Sequence, residues 1–111
     1  MREFSVGANP TAGSTSTLYT VPNGYRALWN LSYLFNTSGS TKTCTLSWYD
    51  SSASSTYDIL NQYSFNSKEY LKFDGGAYVV LEEGDQVKVT PEAGSAFTVL
   101  LTFVLKGNQR E

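Results

Sequence analysis

Apolar and polar residues alternate along most of the chain with a period of two. This alternation is typical of β-strands that bury one face, and the three-to-four spacing of an amphipathic helix is hard to find. Turn-forming residues separate the alternating runs, which predict strands at residues 3–8, 15–21, 26–36, 42–50, 56–66, 69–73, 78–81, 86–90 and 96–106. Strands separated by turns at such regular intervals predict an all-β fold: a two-sheet antiparallel β-sandwich, jelly-roll-like, with about eight strands.

Two long predicted strands carry the clearest apolar faces. One face of residues 26–36 presents Ala27, Trp29, Leu31, Tyr33 and Phe35, and one face of residues 96–106 presents Phe97, Val99, Leu101, Phe103 and Leu105. We expect these two faces to oppose each other in the core. The other predicted core residues are Cys44, Leu46, Trp48, Tyr57, Ile59, Tyr63, Phe65, Val87 and Val89.

Apolar residues also occur on the opposite faces of these two strands, where polar residues are expected. If both strands lie in one sheet, these residues form an apolar patch that must be covered. An N-terminal arm could cover it, and so could a neighbouring subunit or a capsid shell, with or without exchange of the arm between subunits. The candidate interface, arm included, is Phe4, Val6, Leu28, Leu34, Leu100 and Val104.

The length of 111 residues accommodates one domain. We expect an N-terminal arm or first strand at residues 1–14, the sandwich at 15–106 and a C-terminal tail at 107–111. The eight Lys and Arg residues form no cluster and the net charge is −2, which argues against a nucleic-acid partner. No segment has the pattern of a signal peptide or a membrane helix, so we expect no membrane partner and folding in the cytosol.

The residue types disfavour most catalytic chemistry. With no His and one Cys, the chain lacks the usual ligands for zinc or copper and the usual general base, so we expect no enzyme activity, no catalytic residue, no metal and no cofactor. The acidic run at residues 82–85 fits a tight turn with a solvated tip better than a catalytic or calcium site. Cys44 is expected to be a buried hydrophobe. The glycosylation-like triplets at Asn30 and Asn36 are treated as chance.

Aromatic side chains offer one binding alternative, because exposed rings can stack on sugars. The candidates are Trp29, Trp48, Tyr49, Tyr57 and Tyr78. Trp29 and Trp48 are in phase with the apolar faces, which favours core packing for both. Tyr49 and Tyr78 remain open.

Three segments, in this order, resemble small jelly-roll virion proteins of tailed bacteriophages. They are a strand ending Tyr19-Thr20-Val21-Pro22, a following strand ending Asn36-Thr37-Ser38, and a late Gly84-Asp85 turn. The likeness covers roughly residues 15–105. It implies a mechanical role with no catalytic motif, either decorating or cementing a capsid or forming part of a tail or fibre.

The expected function is therefore a non-enzymatic phage structural protein, a capsid decoration or cement protein on the head surface. We expect its partners to be copies of itself, with a trimer favoured, and other virion proteins such as the major capsid protein. Its location would be the virion, assembled in the host bacterial cytoplasm. The alternatives are a tail or fibre component, including an adhesin that binds a host glycan, a free carbohydrate-binding module and, more remotely, a small glycosidase.

Overall fold

The computed structural model describes residues 2–73 and 79–107 and shows strands but no helix in them. The strands are β1 (Arg2–Ala8), β2 (Ser16–Thr20), β3 (Tyr25–Asn36), β4 (Lys42–Asp50), β5 (Ser55–Phe65), β6 (Tyr70–Phe73), β7 (Val79–Leu81), β8 (Gln86–Pro91) and β9 (Phe97–Gly107). Each predicted strand corresponds to one of these. In the described part of the chain, no helix is long and apolar enough to cross a membrane.

The strands form two antiparallel sheets. Sheet A has the order β1-β9-β3-β6, with β7 also paired to β3, and sheet B has the order β2-β8-β4-β5. Strands β6 and β7 both pair with β3, and if they count as one position each sheet has four positions and the connections are those of a jelly roll. The predicted all-β sandwich is confirmed. One detail is corrected: β3 and β9 are paired neighbours in sheet A and do not oppose each other across the core.

The core lies between the two sheets. Sheet A contributes Phe97, Val99, Leu101 and Phe103 from β9, and sheet B contributes Cys44, Leu46, Val87 and Val89, all as predicted. Phe103 is surrounded by aromatic rings, with centroid distances of 4.7 Å to Tyr19, 5.5 Å to Phe4 and 6.3 Å to Trp29. The predicted core position of Trp29 is confirmed, since only 3% of its surface is exposed.

A β-bulge in β3 reverses the direction of its side chains. Trp29 pairs with Phe103 and Leu31 pairs with Thr102, which leaves Asn30 as an extra residue. One added residue moves every later side chain to the other face of the sheet. Before the bulge Ala27 and Trp29 are buried, and after it the buried residues are Ser32, Leu34 and Asn36. The predicted inward face is therefore wrong for Leu31, Tyr33 and Phe35.

Strand β5 also departs from the predicted core. Phe65 is fully buried, as predicted, but Tyr57, Ile59 and Tyr63 are 50%, 38% and 42% exposed. The strand lies at the edge of sheet B, its pairing with β4 shifts register twice, and Gln62 has a φ of 48°. The register places Tyr57 and Tyr63 opposite Trp48 and Cys44, on the inner side of sheet B, and their position on the edge strand leaves both rings partly exposed. The register shifts leave Ile59 without a paired residue on β4.

Candidate assembly surface on sheet A

The side of sheet A that faces away from sheet B carries a contiguous set of apolar side chains. Directly opposed residues of antiparallel strands lie on the same face, so the register identifies the neighbours. Across the sheet, Leu28 lies between Val104 and Val80, and Tyr33 lies between Leu100 and Lys72. We call this set the outer apolar face: Leu28, Leu31, Tyr33, Phe35, Tyr70, Val80, Leu100 and Val104.

Several of these side chains are well exposed. The exposed fractions are 58% for Tyr70, 43% for Val80 and 41% for Leu100. The Tyr33 and Tyr70 rings are 5.4 Å apart, so the aromatic end of the face is continuous. Scattered exposed apolar residues are ordinary on a protein surface, whereas a contiguous set across several strands is typical of an interface.

Strand β1 brings a glycine beside this face. A Cβ atom on Gly7 would be 3.2 Å from Leu100 Cδ2, so the absence of a side chain at Gly7 leaves room for Leu100 to lean over β1. Polar side chains also lie on this side of the sheet, with Thr102 between Leu100 and Val104 on β9, and their hydroxyl groups are hydrogen-bonded. The Ser5 and Thr102 hydroxyl oxygens are 3.1 Å apart, and Thr98 Oγ1 donates to Asn9 Oδ1 at 2.8 Å.

The structure brings together three of the six residues of the candidate interface. Leu28, Leu100 and Val104 lie on the outer apolar face. The expectation for Leu34 is wrong, because the bulge at Asn30 turns its side chain into the core, where it is fully buried. Phe4 and Val6 do not cover the face either.

Phe4 and Val6 pack against the core, because β1 extends sheet A at its edge. The expectation that the N-terminal arm could cover the outer apolar face is therefore wrong. Sequence reasoning missed Leu31, Tyr33, Phe35, Tyr70 and Val80. The sequence carries no signal for the first three, because a polar Asn30 between Trp29 and Leu31 fits a regular strand.

The acidic run at residues 82–85 is a turn, as predicted, but Asp85 is not a solvated tip. Its side chain is 1% exposed. Its carboxylate accepts hydrogen bonds from Trp48 Nε1 at 3.2 Å, from the backbone N–H of Glu82 at 2.9 Å, and from the N–H and hydroxyl of Ser51 at 3.0 and 3.1 Å. Asp85 can be buried because these donors replace the hydrogen bonds that its carboxylate would make with water. Asp85 therefore joins the β7–β8 turn to β4 and the loop after it.

The other residues considered as candidate sites from the sequence do not belong to the outer apolar face. Asn36 is fully buried, and its amide donates to the carbonyl oxygens of Ser40, Phe65 and Asn66, so it is inaccessible to glycosylation. Tyr49 lies beside Lys88, whose Nζ is 5.2 Å from the ring centroid. The Tyr78 candidate lies outside the described residues. Over residues 2–73 and 79–107, no group of three or more His, Cys, Asp or Glu side chains is placed to hold a metal ion.

Cys44 is buried, and burial raises the pKa of its thiol to about 12. We expect a thiol reagent at pH 8 to leave the folded protein unmodified and to label Cys44 once guanidinium unfolds the chain. Because the pKa of this thiol is higher in the folded state than in the unfolded state, the free energy of unfolding falls as pH rises from the ordinary thiol range toward 12. Wild type should therefore lose more stability than Cys44→Ala over that interval. Rapid labelling of the folded protein would contradict this prediction.

Comparison with known proteins informs the fold. No family model matches the chain, and no curated protein does. Among solved structures, a chain from Bacillus endospore appendages, described as disulfide-linked pili, aligns with a TM-score of 0.58 and 11% identity over 97% of this chain and 87% of that chain. The globular domain of a zebrafish complement 1qA protein aligns with a TM-score of 0.46 and 21% identity over 92% and 95% of the two chains.

The Bacillus similarity supports the β-sandwich fold and, at this identity, the fold alone. This chain also differs from the disulfide-linked pili in one respect: its single cysteine is buried and so is not placed to link subunits.

Proposed function

We propose that the protein is a non-enzymatic structural subunit that assembles with copies of itself and buries the outer apolar face. The observation that carries this proposal is the set of apolar side chains that runs along β3 and includes neighbours on β9, β6 and β7. Removing such a surface from water is favourable by roughly 25 cal/mol per Å². A second copy is a suitable occupant because a net charge of −2 opposes self-association only weakly.

The finer proposal is a capsid decoration or cement protein of a tailed bacteriophage. Its support is the sequence resemblance, together with a fold that leaves one sheet face open for a neighbour. The experiment is to determine the location and copy number of the protein in purified particles, by gel band density and labelling. A decoration protein should be present in many copies on heads and absent from tails. Presence on tails alone would favour the tail or fibre role.

A substitution in the middle of the outer apolar face tests self-assembly. Leu100→Glu should shift the assembly toward monomers, because it places a charge where a neighbour would have to desolvate it. Light scattering over a range of concentrations measures the mass, and circular dichroism should still report a folded β protein. Leu34, although it belongs to the candidate interface predicted from the sequence, is unsuitable for this test, because it is core and a charge there would unfold the chain.

The matched control for Leu100→Glu is Ile59→Glu. Ile59 is 38% exposed against 41% for Leu100, but it lies on the edge strand of sheet B. The control variant should assemble as wild type does. Val80→Glu, at the other end of the face, should weaken assembly as Leu100→Glu does. A wild-type protein that stays monomeric at high concentration would refute the proposal, and unchanged assembly of both variants would place the interface elsewhere.

Glycan binding is a second candidate, favoured by one pair of rings. Tyr57 is 50% exposed and its ring centroid is 5.4 Å from that of Trp48, directly across the β4–β5 pairing. An exposed ring held by a second ring can stack on a sugar. A glycan array probed with wild type and Tyr57→Ala tests this candidate. Binding that Tyr57→Ala abolishes would support an adhesin, and no binding by wild type would exclude it for the glycans on the array.

A further inference from the structure

Strand β1 differs from the other edge strands of the two sheets. Strand β2 has five residues and a register shift, β5 has two register shifts, and the described residues of β6 and β7 number four and three. Short or bulged edges resist pairing with another chain. Strand β1 has seven residues that pair one for one with β9 without a shift. Among the described strands, it is the regular edge that remains.

We propose that two copies of the chain pair through β1, antiparallel, with Ser5 on the two-fold axis. The inference rests on the proposed self-assembly and specifies one contact in it. A two-fold axis perpendicular to the sheet keeps the outer faces of both copies on the same side. The register centred on Ser5 pairs all seven residues of β1. Moving the centre to Phe4 would pair only residues 2–6.

The side chains of β1 are compatible with this register. On the inner face, Phe4 would lie opposite Val6 of the second copy, and both already pack against the core. Apolar cross-strand pairs stabilise a sheet. On the outer face, Glu3 would lie opposite Gly7, so the two carboxylates do not confront each other. The pair would thus extend the core of each copy without a like-charge contact.

The pairing would also join the two outer apolar faces. Sheet A is four strands across from β1 to β6, so the pair forms a continuous sheet eight strands across. Both outer apolar faces lie on one side of it, available to one further layer. The β1 contact and the outer apolar face are therefore separate surfaces, and each can be tested without the other.

The test is disulfide cross-linking of Ser5→Cys under mild oxidation. Directly opposed residues of an antiparallel pair have Cα atoms about 4.5–5.5 Å apart, within the range of about 4.4–6.8 Å found in disulfides. The raised local concentration should make Ser5→Cys cross-link at least about tenfold faster than an exposed cysteine outside the contact. Native Cys44 is buried and should not compete. A non-reducing gel follows the dimer.

Two controls separate the contact from chance collisions. Ser64→Cys is exposed on β5, at the opposite edge of the molecule, and should cross-link slowly. Glu3→Cys is on β1 itself, but in this register its counterpart is about 14 Å away along the strands, so it should also cross-link slowly. Equal rates for Glu3→Cys and Ser5→Cys would overturn the register.

The remaining outcomes distinguish this inference from the proposed function. If wild type assembles while Ser5→Cys cross-links no faster than Ser64→Cys, the β1 contact is overturned and self-assembly stands. If wild type is monomeric at every concentration, both are overturned. A trimer as the sole assembled species also contradicts a two-fold pair. Should Ser5→Cys fail to fold, amide hydrogen exchange in wild type decides: assembly should slow exchange in β1 but not in β5.

Discussion

Phe103→Ala is expected to lower the free energy of unfolding by about 3 to 5 kcal/mol, the cost of truncating a buried aromatic residue. Phe103 is fully buried, and its ring contacts those of Phe4, Tyr19 and Trp29. The variant leaves a cavity in this cluster, and both sheets line the cavity, because Tyr19 comes from sheet B and the other rings from sheet A. Neither sheet can move in to fill the cavity without disturbing its own strand pairing.

Guanidinium unfolding measures the loss, and Phe73→Ala is the matched control. Phe73 is the same residue type in the same sheet but is 36% exposed on the edge strand β6, so its truncation should cost much less. Trp29→Ala should cost about as much as Phe103→Ala. Equal losses for Phe103→Ala and Phe73→Ala would contradict the placement of the core. A stable Trp29→Ala variant that had lost binding to a polysaccharide would favour the adhesin.

Strand β9 shows why much of the fold was predictable from the sequence. Its apolar residues Phe97, Val99, Leu101 and Phe103 keep a period of two without interruption, and all four are buried. Strand β3 has apolar residues in both phases, from Ala27 and Leu28 to Leu34 and Phe35. Alternation alone cannot place a bulge in such a strand. The pairing with β9, which lies far away in sequence, determines that Asn30 is the extra residue.

The same limit explains what could be predicted of the outer apolar face. The side of the sheet on which Leu100 and Val104 lie can be predicted from the regular alternation of β9, and that of Leu28 can be predicted because it precedes the bulge in β3. Leu31, Tyr33 and Phe35 lie after it and were assigned to the wrong face. Tyr70 and Val80 belong to short strands whose neighbour in the sheet is decided by topology. A sequence indicates which residues share a strand face, but the sheet order decides which faces combine into a surface.

Asp85→Ala is the second substitution with a large expected effect, a loss of about 3 to 5 kcal/mol in the free energy of unfolding. The carboxylate is almost fully buried and accepts from Trp48, Ser51 and Glu82. Removing it leaves these donors without their acceptor, and each buried donor left unsatisfied costs about 1 to 3 kcal/mol. Some of the donors will recover water at the end of the sandwich, which keeps the total below the full sum.

The control for Asp85→Ala is Glu82→Ala, which removes an exposed carboxylate from the same turn and should change the unfolding free energy little. Asp85→Asn gives a sharper comparison, because it keeps the shape but replaces one acceptor oxygen with a donor. Both Asp85 oxygens accept hydrogen bonds, so whichever way the amide is oriented, its NH₂ faces an N–H or hydroxyl donor. We therefore expect Asp85→Asn to lose most of the stability that Asp85→Ala loses. A nearly wild-type Asp85→Asn protein would show that the negative charge and its two acceptors do not hold the turn against β4.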